Sequence, residues 1–195
     1  MGYTPQKKGL KKKQPRPSYF AGIRAGLRQK LPVVFFVLGF AVLMVIFYAF
    51  WLSDYCQVSV QPQIVSLNSK LSSFLLNLFG METTAMKETI ASTSFSVSIA
   101  RGCDAMEAMA LFASALLAFP AGWKYKLTGF FAGIAILFTL NILRVVSLFL
   151  TGVYYPKAFE VMHVEVWQVL FIIFAIGLWI FWIKWTRKGV SHAAK

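Results

Sequence analysis

Four long apolar runs divide the chain, and polar stretches separate them. The first is VVFFVLGFAVLMVIFYAFWL, residues 33–52. At about 1.5 Å per residue it is long enough to cross roughly 30 Å of hydrocarbon, and Trp51 falls where an interfacial anchor belongs. The second opens just after Cys103 as AMEAMALFASALLAFPAG and is closed by Pro120, Gly122 and a short basic loop holding Lys124 and Lys126. The third, LTGFFAGIAILFTLNILRVVSLFLTG over 127–152, is too long for one simple span, so it tilts or protrudes. The fourth, VEVWQVLFIIFAIGLWIFWIKW, follows His163 and ends among Lys184, Arg187 and Lys188.

Residues 53–103 are polar by comparison. Within them Ile64, Leu67, Leu71, Phe74, Leu75 and Leu78 recur at helical spacing. They predict an amphipathic helix ended by Gly80, lying in the outer interface or on the other spans. In SFSVSIA, Phe95, Val97 and Ile99 alternate with serines, which predicts a strand and a short hairpin turning near Ala91 to Thr93. The expected fold is an all-α polytopic membrane protein of about four transmembrane helices, with an extracytoplasmic amphipathic helix and a short β-hairpin. Its membrane-embedded domain covers 32–185, between basic tails at 1–31 and 186–195.

Composition agrees. Of 195 residues 58% are hydrophobic, which excludes an ordinary soluble domain. The net charge of +13 is concentrated at the start, where Lys7, Lys8, Lys11, Lys12, Lys13, Arg16, Arg24, Arg28 and Lys30 occur with no acid among them. Beside an apolar run such a cluster faces anionic lipid and marks the cytoplasmic side; nucleic acid is not the expected partner. The first run is longer than a signal-peptide core and has no small-residue cleavage pattern after it, so it reads as a retained anchor. The positive-inside rule then puts both termini in the cytoplasm, the 53–103 region outside, the Lys124/Lys126 loop inside and the 153–162 loop outside. The two cysteines, Cys56 and Cys103, form no CxxC pair and no His/Cys cluster has zinc spacing. Neither a metal nor a cofactor is expected.

Three chemically able side chains share one depth in this arrangement. Cys103 begins the second span and His163 the fourth, both on the outer side. Arg144 stands about 18 residues into the third, roughly 27 Å from its cytoplasmic start. A thiolate can attack a peptide carbonyl, an imidazole can protonate the leaving amine, and a guanidinium can hold an oxyanion or the substrate backbone. A thiol at a helix N-terminus is also favoured as thiolate by the helix dipole and nearby cations, which Asp104 and Glu107 oppose. Each residue has a plainer reading. A lone cysteine at a span end is usually inert. Arg144 can snorkel or pair with Glu107. His163 can anchor a helix, and Asp104 with Glu107 has the spacing of a capping box. Arg101 is an interfacial charge or an oxyanion helper. Asn141, one turn before Arg144, can hydrogen-bond within the site or across helices. A Cys56–Cys103 disulfide would remove the nucleophile.

At RGCDAMEAMALFASALLAFPAG, LNILRVVSLFL and VMHVEVWQVLFIIF the chain resembles the exosortase/archaeosortase family of polytopic membrane transpeptidases, from about residue 33 to 185. The family pattern is a Cys opening one span, an N-x-x-R late in the next and a His opening the last. It falls here on Cys103, on Asn141 with Arg144, and on His163. Many members have a Gly shortly after the Cys, where this chain has Asp104 and Ala105. The resemblance implies a compact, four-span cysteine protease/transpeptidase of the inner or plasma membrane. It would have Cys103, Arg144 and His163 as catalytic residues at the outer face, with Arg101, Asn141 and Glu107 supporting. Its partners would be membrane lipid and exported proteins whose C-terminal tails carry a short sorting motif, a span and a basic cluster. Cleavage would pass through a thioester to an acceptor. Two other classes compete: a membrane thiol–disulfide oxidoreductase using Cys56 and Cys103, and a non-catalytic membrane assembly factor.

Overall fold

The computed structural model describes residues 19–100 and 102–193, with the backbone alone at 19–29 and 188–193. The expected basic tails therefore lie largely outside the described residues, as does Arg101. In chain order the elements are α1 (Tyr19–Trp51), α2 (Gln61–Leu78), β1 (Thr84–Met86), β2 (Thr89–Ala91), β3 (Ser96–Ser98), α3 (Met106–Ala118), α4 (Trp123–Tyr154), α5 (Phe159–Val161) and α6 (Trp167–Ala193). Five-residue π-helical segments lead into α2 and α6, at Cys56–Val60 and Met162–Val166. The contacts that build the site fall within residues 36–195, a compact unit of its own.

This is an all-α polytopic membrane fold. Among the described residues, three helices are long and apolar enough to cross a membrane: Lys30–Trp51, Trp123–Tyr154 and Pro156–Arg187. The remaining expected span is α3, an apolar helix of 13 residues, about 20 Å long and short of the hydrocarbon thickness. Its first turn is delayed because Ala105 takes a left-handed backbone, φ 60°. Its last turn gives way to extended chain at Phe119, ahead of Pro120, since the residue before a proline is pushed out of the helical region. Lys126 Nζ then donates to the Leu117 carbonyl at 2.6 Å, closing one of the helix's orphan acceptors.

The centre of the unit is α4. It runs 32 residues, about 48 Å, and 44% of its most apolar window is buried against 11% for the last span. Small residues set the close approaches. A Cβ added at Gly133 would run into the Phe112 ring of α3, and one at Gly129 into the Trp182 indole of α6. Trp182 Nε1 donates to the Tyr125 carbonyl at 3.0 Å, so this close contact also satisfies the buried indole.

α2 is amphipathic as its spacing predicts, and its orientation is informative. Leu67, Leu71, Phe74 and Leu78 are exposed, while Asn68, Ser69, Ser72 and Ser73 are buried. Leu75 of the expected stripe, with Val65 and Leu76, packs on the cluster that holds Val145, Val146 and Phe149 of α4, while the buried Ser69 and Ser73 face residues 83–87. Hydrocarbon can solvate exposed leucines, and the protein supplies hydrogen bonds to Ser69 and Ser73, while Asn68 and Ser72 find no side-chain partner among the described residues. Asn77 Oδ1 accepts from Thr83 N–H at 2.8 Å and its Nδ2 donates to the Thr83 carbonyl at 3.1 Å. Ser73 Oγ lies 2.9 Å from Thr83 Oγ1, and Ser69 Oγ donates to the Lys87 carbonyl.

These bonds dock a three-stranded antiparallel sheet of order β1-β2-β3 on α2. The expected hairpin is present as β2–β3, with Ile90 opposite Val97 and a turn over 92–95 closed by Ser92 N–H to the Phe95 carbonyl at 2.9 Å. β1 adds a strand that the sequence pattern does not predict. It is three residues long, with Met86 exposed, too short for alternation to register. Ile90, Val97 and Ile99 pack with Phe149, Val145 and Val146 of α4. Phe95 lies over Gly152, its ring 5.5 Å from Phe149 in an edge-on contact. The sheet is thereby fixed to both α2 and α4, and β3 delivers the chain to residue 103.

Candidate active site

Three separate elements bring Cys103, Arg144 and His163 together. The first is the loop between β3 and α3. Cys103 N–H donates to the Ala100 carbonyl at 3.0 Å, and Gly102 (φ 83°) and Ala105 (φ 60°) are both left-handed. Two left-handed residues either side of Cys103–Asp104 fold the backbone sharply and turn the thiol inward, at a cost of roughly 1–2 kcal/mol for the alanine. The second element is α4, which presents Arg144. The third is the π-helical segment holding His163. A π turn carries an extra residue and offsets the side chains before it from the helix beyond it.

Cys103 Sγ and His163 Nε2 lie 2.7 Å apart. Arg144 Nη2 donates to the same sulfur at 3.5 Å and to the His163 main-chain carbonyl at 3.5 Å. Arg144 is 6% exposed, and its guanidinium sits 5.6 Å from the centre of the Phe171 ring. It does not snorkel outward; Phe171 offers it a π face in place of water. The His163 ring stacks on Phe159 at 5.8 Å. A thiol in contact with an imidazole can hand over its proton, and a fixed cation beside the sulfur favours the thiolate that results.

Burial pushes the Cys103 thiol above its ordinary pKa, the Arg144 charge pulls it back, and the Asp104 carboxylate adds to the rise. Desolvation outweighs the favourable helix-end setting that the sequence suggested. Asp104 is itself raised by burial and is 2% exposed. Its Oδ1 accepts from Met106 N–H at 3.2 Å, two residues on rather than three, because α3 starts only at Met106. The expected capping box with Glu107 is not formed; Glu107 is exposed at the rim of a cavity. Asn141 is fully buried one turn below Arg144, and neither atom of its amide finds a partner among the described residues. Cys56 is free and fully buried, and Cys103 is free. Phe171 and Phe159 were not singled out from sequence, where an aromatic in a span is indistinguishable from core.

Two cavities meet at this cluster. The larger, about 670 Å³, runs from Cys103 and His163 between α3 and α6, past Leu111, Phe171 and Ile172 to Trp179. The smaller, about 390 Å³, lies between β3 and the 156–163 segment, bounded by Val145, Pro156 and Phe159 and again by Cys103, Arg144 and His163. The reactive side chains stand at the junction. The larger cavity follows the π-helical segment and α6 as far as Trp179, 16 residues beyond His163 and about 24 Å along the chain's helical path, and is largely apolar. The smaller is also largely apolar, with Ser96 and Ser98 on its β3 side.

No curated protein and no solved structure matches the chain. A family model described as Transmembrane exosortase (Exosortase_EpsH) matches residues 19–183. That match spans most of the chain and includes all three clustered residues, and the chain belongs to the transmembrane exosortase family.

Proposed function

We propose that this chain is a membrane cysteine transpeptidase that cleaves C-terminal sorting tails of exported proteins, with Cys103 as nucleophile, His163 as acid–base and Arg144 as electrostatic partner. The observation that carries the reading is the 2.7 Å contact between Cys103 Sγ and His163 Nε2, with the Arg144 guanidinium on the same sulfur. His163 takes the thiol proton as sulfur attacks the scissile carbonyl. The negative charge moves to the carbonyl oxygen, where Arg144 stabilises it. When the tetrahedral species collapses, the C–N bond breaks, His163 gives its proton to the leaving amine, and the acyl half stays on Cys103 as a thioester. An acceptor nucleophile, its proton taken by His163, then attacks the thioester carbon and returns the thiolate. The raised thiol suits this order, since the proton leaves when a carbonyl is present to receive the electrons.

The domain is residues 32–185, with both termini cytoplasmic and the site at the outer face, where exported substrates are presented. Glu107 at the cavity rim, Asn141 below Arg144, and Arg101 support substrate or site. The test is co-expression with a secreted reporter bearing a span and a basic cluster at its C-terminus. Cys103→Ala abolishes processing and Cys56→Ala retains most of it. Equal loss in both, with both proteins present in the membrane, would favour thiol–disulfide chemistry; no loss in either would favour an assembly role.

A further inference from the structure

We infer that the enzyme holds the segment just before the scissile bond as an added β-strand on the free edge of β3, in the cavity between that edge and residues 156–163. The inference rests on the transpeptidase reading and specifies how its substrate is bound.

The ladder sets which groups are free. β3 is the last strand of the sheet and, among the described residues, pairs with β2 alone. Ser92 N–H bonds to the Phe95 carbonyl and Ile99 N–H to the Glu88 carbonyl. With Ile90 opposite Val97, the odd-numbered residues 95, 97 and 99 direct their main-chain groups to β2. In an antiparallel pair the alternate residues point the other way. The N–H and C=O of Ser96 and Ser98 therefore face outward from the sheet.

Such an edge is a template for another chain, and here it lines a cavity that also contains Cys103, Arg144 and His163. The opposite wall is apolar, made by Val145, Leu148, Pro156 and Phe159. Main-chain groups on one side and side-chain pockets on the other are what strand addition uses: hydrogen bonds for affinity, alternate side chains for selection. Ser96 and Ser98 are small, so the approach to the edge is open.

Chain direction fixes the polarity. β3 runs toward Cys103, only four residues intervening after Ser98. The acyl half of the substrate must end at the sulfur. A segment that lies along the edge and ends there runs parallel to β3. The substrate residues beyond the scissile bond then meet the larger cavity, the long apolar channel along α3 and α6. A polypeptide whose extended stretch precedes an apolar helix matches the two cavities in that order.

The edge is tested with a secreted reporter whose randomised juxtamembrane segment has been selected for cleavage by the wild-type chain. Ser96→Pro and Ser98→Pro each remove one outward N–H and leave the β2 ladder intact. Both should lower turnover at least about tenfold, whereas Ser96→Ala and Ser98→Ala keep it, because a strand hydrogen bond near the reacting carbonyl also sets its position. Alkylation of Cys103 by iodoacetamide needs the thiol and its neighbours but no strand, and should proceed at the wild-type rate in the proline variants. Turnover by Ser96→Pro and Ser98→Pro at the wild-type level overturns the inference. If a proline also slows alkylation, the substrate side decides. A synthetic peptide of the selected segment, N-methylated at one amide at a time, should lose its power to compete at alternate positions. Uniform competition along the peptide overturns the inference. Undiminished processing by Cys103→Ala would instead remove the transpeptidase reading, with the proline and N-methyl results still judging the edge on their own.

Discussion

Replacing Arg144 by lysine separates what its charge does from what its shape does. Three contacts meet at the guanidinium: Nη2 reaches Cys103 Sγ and the His163 carbonyl, each at 3.5 Å, and the planar group lies 5.6 Å from the Phe171 ring centre. Lysine keeps the unit positive charge. It loses the planar fork, and one ammonium cannot hold the His163 segment and face a carbonyl oxygen in the same geometry. Removing one oxyanion donor costs about 10² to 10³ in rate in hydrolases, or about 2.7–4 kcal/mol of transition-state stabilisation. Arg144→Lys should lose turnover by that factor. The charge is read separately, through the pH dependence of Cys103 alkylation. Arg144 is the influence that pulls the thiol down. Arg144→Gln should therefore move the alkylation profile to higher pH, and Arg144→Lys should move it much less. The assay is reporter cleavage normalised to protein in the membrane, with alkylation profiles on the same preparations. Near-wild-type cleavage by Arg144→Lys would refute the reasoning and leave Arg144 as a buried cation that serves packing alone.

The opposite charge gives a change of opposite sign: Asp104 raises the Cys103 thiol, so Asp104→Asn should move the alkylation profile to lower pH, and a shift upward would contradict the assignment. Gly133→Ala forces a methyl into the Phe112 ring and should destabilise the α3–α4 contact by about 1–3 kcal/mol; thermal denaturation in detergent reads the loss, and Phe112→Leu in the same chain should recover part of it. A reporter or accessible cysteine at Ser92 should report the outer side of the membrane, because the 53–103 region carries few cations near its span ends, and a cytoplasmic signal would reverse the proposed topology.

The long apolar runs and the convergence of Cys103, Arg144 and His163 were legible because span length and helical rise are simple arithmetic. What closes the last few ångströms was not. Ala105 adopts a left-handed backbone that nothing in alanine advertises, and that conformation shortens α3 and dissolves the capping box the D-x-x-E spacing suggested. The sequence suggested that Arg144 snorkels or pairs with Glu107. The structure places an aromatic face there, and a phenylalanine in an apolar helix gives no sign that it faces a cation. The orientation of α2 was open between lipid and protein because both are apolar hosts for leucine. Its buried Ser69 and Ser73 decide it, since a buried hydroxyl must find a partner in the protein. The sign of the Cys103 shift turned on burial, a quantity set by the whole packed unit and absent from any local pattern.

The π-helical turn at Met162–Val166 has a consequence for how this sequence tolerates change in length. A π turn is a helical turn with one residue too many. Deleting a single residue from it would heal the helix into regular α geometry at no cost in backbone hydrogen bonds. Healing would also rotate everything before the lesion by about 100° against everything after it. His163 would swing away from Cys103 while Phe171 and Trp179 kept their places. A one-residue deletion here should therefore yield a chain that inserts, packs and resists heat at least as well as its parent, yet has its imidazole facing the wrong way. In this part of the chain, length is a functional parameter in its own right, set against the helix's own preference.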